Sequence, residues 1–306
     1  MNGVLIIDKP AGLTSHDVVN RVRRILGQRS VGHLGTLDPF ATGVLPLVTG
    51  NLTRLAQFYT ASEKIYEGTI RFGFSTDTYD VEGNPTSPIG KVKVSLEELQ
   101  EAGKGFLGPI EQMPPPFSAK KIQGVPAYKL ARKRQEVPLK PVSVEIKEFA
   151  IIHVSDDRAM FRARVSSGTY MRSVAHDLGQ KVGCGAHLES LRRMAVAEFD
   201  LSCAHTLQAV DAAMQNDKVD ELFLHPRKLL PQFPAITATE EAAARIRTGR
   251  TVNLPELSRS RFVKVFYGQR ELMAIASRVA GSLFHPKIVF LSQDSPQSLE
   301  AVIGRE

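Results

Sequence analysis

The 306-residue chain is expected to adopt an α+β fold, with a small β-rich module in its last quarter. Three observations point there. Segments with strand periodicity and segments with helical periodicity follow each other without the regular βαβ alternation of a doubly wound sheet. At roughly 150 residues per domain, the length accommodates two domains. A hydrophobic content of 42% against 23% charged residues suits a soluble chain with a sizeable core, which excludes disorder, collagen-like repeats and coiled coil as the dominant state.

Val4 to Ile7 form an apolar run that reads as a short buried strand. Ser15 is placed to cap a helix whose residues Val18, Val22, Ile25 and Leu26 share one face, and Gly27 stops it. Residues 65–74 alternate. Tyr66, Gly68, Ile70, Phe72 and Phe74 share one face against Glu67, Thr69, Arg71 and Gly73, so this strand turns Tyr66 inward. Ser95-Leu96-Glu97-Glu98 opens a short helix with a capping-box spacing. Phe161, Ala163 and Val165 alternate with Arg162 and Arg164 in a further strand. A helix then starts near Met171, is striped by Val174, Leu178 and Val182, and ends at Gly183.

The Pro-rich stretch Pro226 to Pro234 reads as a linker and sets a boundary near residue 230, giving domains 1–230 and 231–306. Beyond it come a helix striped by Ala242 and Ile246, closed by Gly249, and strands near 262–267, 271–279 and 283–291. A module of about 70 residues is marginal but viable alone. No internal repeat is present, which argues against solenoids and propellers.

The longest stretch free of Asp, Glu, Lys and Arg, Pro39 to Thr53, is fifteen residues long with two Pro and two Gly, too short and broken to span a membrane. The four-residue apolar core at the N-terminus, with no basic region before it, is not expected to act as a signal peptide. Two cysteines, Cys184 and Cys203, cannot form a disulfide framework. A cytoplasmic protein is expected. The net charge of +7 is concentrated in two zones, residues 117–141 at +6 and residues 240–287 at +5, on a body that is otherwise net −4. Two basic zones suggest a polyanion held at two places, although a solvated basic loop would give the same arithmetic.

Asp38 stands alone in the Gly-rich, otherwise uncharged segment Gly32-His33-Leu34-Gly35-Thr36-Leu37-Asp38-Pro39-Phe40-Ala41-Thr42-Gly43. Two readings stay open: a side chain capping the turn, as Asp before Pro often does, or a catalytic carboxylate whose neighbouring glycines let a ligand's backbone approach. Arg172 lies in the first turn of its helix, where the dipole disfavours a cation. It is therefore expected to face an anion, either a phosphate or a buried carboxylate such as Asp38. Tyr66 is either a core aromatic or a base-stacking group. Cys184, His187, Cys203 and His205 do not have a common zinc spacing, and no metal is expected. The nucleotide-, NAD- and serine-hydrolase motifs are absent, and no cofactor is expected.

At these residues the sequence resembles the TruB family of tRNA pseudouridine-55 synthases. The likeness is carried by Leu5-Ile6-Ile7-Asp8-Lys9-Pro10-Ala11-Gly12, by the segment around Asp38, and by Lys64-Ile65-Tyr66. Thr76-Asp77-Thr78-x-Asp80-x-x-Gly83, Pro114-Pro115-Pro116-Phe117-Ser118-Ala119-Lys120-Lys121, Ser167-Gly168-Thr169-Tyr170-Met171-Arg172-Ser173 and Leu191-Arg192-Arg193 extend it. The resemblance implies the pseudouridine synthase fold, a mixed, largely antiparallel sheet with flanking helices, together with a basic thumb insertion at about 113–140 and a C-terminal PUA-like β-barrel that binds RNA.

It also implies that Asp38 is the catalytic carboxylate, that Arg172 holds it ionised, and that Tyr66 stacks on the target base and would assist removal of the C5 proton. His33 would help expel the nucleotide from the T-loop, and Tyr170 and Leu191 would line the base pocket. Lys9, Lys120, Lys121, Lys129 and Arg132 would contact RNA. The implied partner is the T-arm of tRNA, with a monomeric enzyme and no guide RNA. Leu34 and Phe117 depart from the Thr and Tyr more usual in the family. An RNA chaperone without chemistry would share every binding feature but not need Asp38. A guide-dependent synthase would lack the basic insertion.

Overall fold

The computed structural model describes residues 1–117, 121–122, 125–126 and 140–290, the two short pieces as backbone alone. In chain order, the first strands are β1 (Gly3–Lys9), β2 (Val31–His33), β3 (Thr42–Thr49), β4 (Lys64–Phe72) and β5 (Gly108–Gln112). A two-residue hairpin, β6 (Lys121–Ile122) with β7 (Val125–Pro126), precedes β8 (Val142–Ser155), β9 (Arg158–Val165), β10 (Ala186–Val196) and β11 (Phe199–Asp200). The main sheet runs β1-β3-β10-β4-β9-β8-β5, with β2 also paired to β3 and β11 to β10. Among the described residues its pairings are antiparallel except β3 with β10, where Arg192 faces Thr42 and Arg193 faces Gly43.

Helices α1 (Ser15–Ile25), α2 (Ala56–Tyr59), α3 (Leu96–Lys104), α4 (Met171–Lys181) and α5 (Leu207–Gln215) surround this sheet. Leu5 and Ile7 of β1 pack with Val18 and Val22 of α1 and Leu207 and Val210 of α5. Val4 and Ile6 pack on the opposite side with Leu229, Leu230, Phe266 and Ile275. Burial on both faces is why this strand reads as an unbroken apolar run. Leu99 of α3 and Val174 and Leu178 of α4 cover the inward face of β4 and β9, including Tyr66, Ile70, Phe161 and Val165. Among the described residues no helix is long and apolar enough to cross a membrane.

A second sheet is built from β12 (Ala235–Thr237), β13 (Val252–Asn253), β14 (Phe262–Tyr267), β15 (Glu271–Ala280) and β16 (Leu283–Val289), with α6 (Glu240–Arg247) beside it. It curls through the order β12-β14-β15-β16-β13. The α+β class and both sheets are those expected of the chain.

Some local expectations shift. Thr14, not Ser15, caps α1: its hydroxyl accepts from Asp17 N–H at 3.0 Å while the Asp17 carboxylate accepts from Thr14 N–H at 2.9 Å. The strand expected over 65–74 stops at Phe72, because Gly73 turns away at φ +101°. Ala243 and Ile246, rather than Ala242, form the buried stripe of α6. The Pro226–Pro234 stretch is packed rather than extended, with Leu229 and Leu230 fully buried between the two sheets.

Candidate active site

Asp38 sits on the loop between β2 and β3, and α4 brings Arg172 to it. The Arg172 Nη2 donates to Asp38 Oδ1 at 3.2 Å, and its Nε lies 3.0 Å from Asp38 Oδ2. Arg172 is 6% exposed, whereas the Asp38 side chain keeps 34% of its surface open. A first-turn guanidinium opposed by the helix dipole is thus compensated by a carboxylate. The same guanidinium reaches further: Nη1 donates to Asp80 Oδ2 at 3.2 Å and to Thr78 O at 3.2 Å, and Nη2 donates to Phe117 O at 3.0 Å. Asp80 is buried at 3% exposure, and in the sequence only its place in a turn motif distinguishes it. Its spacing gives no sign that it shares Arg172.

The loop carrying Asp38 is fixed by two more buried cations. Lys9, fully buried, donates to the carbonyls of Pro10 (2.8 Å), Leu13 (2.6 Å) and Pro39 (3.0 Å). Its expected contact with RNA is therefore corrected, because these carbonyls take its ammonium protons inside the fold. Arg193, also fully buried, donates to Val44 O (2.8 Å), Thr36 O (3.1 Å) and Gly35 O (3.1 Å). Ser15 completes the support, its hydroxyl donating to Leu37 O at 3.1 Å and accepting from Leu37 N–H at 2.8 Å.

Gly43 has a role other than ligand approach. A Cβ there would lie 2.3 Å from Arg193 O, so the glycine lets β3 and β10 come together at their parallel junction.

Tyr66, 7% exposed, and Leu191, 7% exposed, belong to the packed cluster that also contains Leu37 and Ala41 on either side of Asp38. Tyr170 occupies the N-cap position of α4. Its backbone is held by Gln112, which accepts from Tyr170 N–H at 2.7 Å and donates to Tyr170 O at 3.0 Å. His33 ends β2, half-buried, with Nδ1 accepting from Gly35 N–H at 3.3 Å. A cavity of about 430 Å³ opens beside the loop, lined by Phe40, Thr42, Gly68, Leu191 and Arg192 among others.

Leu34, one of the two departures from the family pattern, fills the core at 5% exposure, and Phe117 serves Arg172 through its backbone. Lys120, Lys129 and Arg132 lie outside the described residues, as does the side chain of Lys121. Among the described residues no group of three or more His, Cys, Asp or Glu is placed to hold a metal.

Arg172 acts on the Asp38 carboxyl in the expected direction, but burial outweighs it. Burial pushes the Asp38 carboxyl above the usual carboxylate range; Arg172 opposes this, while Asp80 adds to it. Lost solvation is the largest influence, and the guanidinium, which also serves Asp80, does not bring Asp38 below its ordinary value. A carboxylate raised in this way is a stronger base once ionised. Burial and the nearby Arg193 push the His33 imidazole down, favouring its neutral form.

The family model described as TruB family pseudouridylate synthase (N terminal domain) matches residues 23–171, and that of the tRNA pseudouridylate synthase B C-terminal domain matches residues 172–231. The chain is similar to the tRNA pseudouridine synthase B of Solibacter usitatus, with 50% identity over 94% of this chain and 100% of that protein. It is 40% identical to that of Geotalea uraniireducens, over 90% and 91% of the two chains. A solved Cbf5-Nop10-Gar1 complex contains a chain with the same fold at TM-score 0.71 and 24% identity, covering 95% of this chain and 86% of that one.

Proposed function

The chain belongs to the TruB family of pseudouridylate synthases, and from that premise we propose that it isomerises uridine 55 in the T-loop of tRNA to pseudouridine, with Asp38 as the catalytic carboxylate. The reaction breaks the C1′–N1 glycosidic bond, turns the uracil in place and joins C5 to C1′. C5 loses its proton and N1 gains one, so atoms balance without an oxidant or a second substrate. The target nucleotide must first leave its loop, at a cost of a few kcal/mol. RNA contacts by residues 113–140 and 231–306 offset that cost, with Lys120, Lys121, Lys129 and Arg132 gripping the T-arm and His33 filling the vacated space.

The ionised Asp38 then acts on the sugar, by attack at C1′ or by removal of the C2′ proton. Tyr66 stacks on the detached base and assists loss of the C5 proton, while Tyr170 and Leu191 keep the uracil from escaping. We assign the chemistry to residues 1–230 and the second RNA grip to residues 231–306.

The observation that carries this reading is a carboxylate held against a buried guanidinium, on a loop fixed by Lys9, Arg193 and Ser15. The test is tritium release from C5-labelled uridine in an unmodified tRNA transcript, using the purified protein without any guide RNA. Release should map to position 55, and Asp38→Asn should lower it by about 10²–10⁴-fold while retaining tRNA binding. Undiminished release by that variant, or a requirement for an added guide, would overturn the assignment.

A further inference from the structure

Lys64 opens β4 on the face that carries Tyr66, two residues or roughly 7 Å along the strand. It is half-buried, and its ammonium donates one hydrogen bond, to Ser62 O at 2.7 Å. Among the described residues no carboxylate lies within ion-pair distance of either Lys64 or its neighbour Arg193. The two cations flank Gly35: a methyl group placed on that glycine would lie 3.7 Å from Arg193 Nη1 and 3.8 Å from Lys64 Cε. Burial and Arg193 together push the Lys64 ammonium down to about 8. A half-buried cation with a like charge beside it and no carboxylate to answer it costs the fold stability.

The surroundings tell against a purely structural role. Lys9 and Arg193 each satisfy three carbonyls, shared between the loop that bears Asp38 and the segments next to it, but Lys64 meets only the carbonyl two residues before itself. Beside it the loop is accessible, with Thr36 exposed and His33 and Gly35 half-buried. An anion seated here would relieve the repulsion from Arg193 and make a charge-assisted hydrogen bond with the ammonium.

We propose that Lys64 is a phosphodiester anchor, receiving a backbone phosphate of the RNA strand next to the nucleotide whose base meets Tyr66. This rests on the RNA-modifying reading above and adds a third point of electrostatic grip, beside Gly35 of the loop that bears Asp38 and apart from the two basic zones. It also gives the destabilising position of the ammonium a purpose, since a charge poorly solvated in the free protein gains more when RNA arrives.

The experiment measures the affinity of an unmodified tRNA transcript across a salt series for the unaltered protein, Lys64→Met and Lys64→Arg, with thermal unfolding of the same preparations. Lys64→Met keeps the apolar stem and removes the charge. It is expected to weaken binding about 10-fold at low salt, to make the slope of log K against log salt less steep by about 0.7–0.9, and to leave the melting temperature equal or higher. Lys64→Arg should keep the slope.

An unchanged slope in Lys64→Met overturns the proposal. So does a fall in melting temperature in both variants with a parallel loss of binding, which would mark Lys64 as a structural residue. If the unaltered protein neither binds nor modifies the transcript, the RNA-modifying reading fails and takes this inference with it. Binding by the unaltered protein with no effect at Lys64 removes this inference alone.

Discussion

Arg172 and Asp80 form a buried ion pair, Nη1 to Oδ2 at 3.2 Å, while Nε and Nη2 of the same guanidinium face Asp38. Asp80 therefore acts on Asp38 through a shared partner. It orients the arginine and at the same time raises the pKa of the carboxyl that the arginine opposes.

Asp80→Asn keeps the shape and removes the charge. The Asp38 carboxyl should then ionise at lower pH, because one influence raising its pKa is gone. In single-turnover assays the acidic limb of the pH–rate profile is expected to move to lower pH. A limb that stays in place, or moves up, would contradict the coupling.

The raised pKa of Asp38 also has a consequence for stability. Between the ordinary carboxylate value and the raised folded value the native state binds more protons than the unfolded chain, so stability falls as pH rises through that window. Above the window the cost is fully present, and below the ordinary value it is absent. Asp38→Asn lacks it, so its melting temperature at pH 7 should equal or exceed that of the unaltered protein. The difference should shrink as the pH is lowered towards 4. A variant that melts well below the unaltered protein at pH 7 would show that the carboxylate stabilises the fold.

Arg193 holds three carbonyls from a fully buried position. Replacing it with Met leaves Gly35 O, Thr36 O and Val44 O without those donors, at a cost of about 3 kcal/mol or more by urea denaturation. Arg193→Lys should recover only part of this, because a compact ammonium cannot reach all three as the planar fork does. Turnover should fall in both variants as the loop bearing Asp38 loosens.

Glu198, in the turn between β10 and β11, ties α2 to the stretch that leads into the second sheet. Its Oε1 accepts from the Tyr59 hydroxyl at 2.6 Å and from Leu230 N–H at 2.8 Å, and burial together with Glu198 pushes the tyrosine's pKa up. Glu198→Ala leaves the Tyr59 hydroxyl without its acceptor and Leu230 N–H with only the longer bond to Tyr59 Oη at 3.2 Å, which should cost about 1 kcal/mol or more. Proteolysis within residues 226–234 should quicken in parallel. Unchanged cleavage there would mean that apolar packing around Leu229 and Leu230 holds the junction alone.

Local patterns made several elements legible. The alternation about Tyr66, the stripe of α4 and the three strands after residue 260 all follow from side-chain period, which neighbours in sequence determine. Strand β10 escaped because register shifts at Leu188/Ser190 and Arg193/Ala195 break its period of two. Yet β10 is the strand that brings Arg193 to the loop of Asp38. The N-cap of α1 was misplaced by one residue because Thr14 and Ser15 are both good caps, and only the fold shows that Ser15 is engaged by Leu37.

The sequence by itself determined the class of fold, the isolated acid in an uncharged segment, and a cation in a helix turn that needed an anion. These are properties of short stretches and of composition. The tertiary structure decided which anions answered that cation, that two carboxylates share it, and that Lys9 faces inward rather than towards RNA. Those outcomes depend on groups separated by up to 134 residues meeting in one place, as Asp38 and Arg172 do. Burial there changes the energy of a charge by an amount that no local pattern encodes.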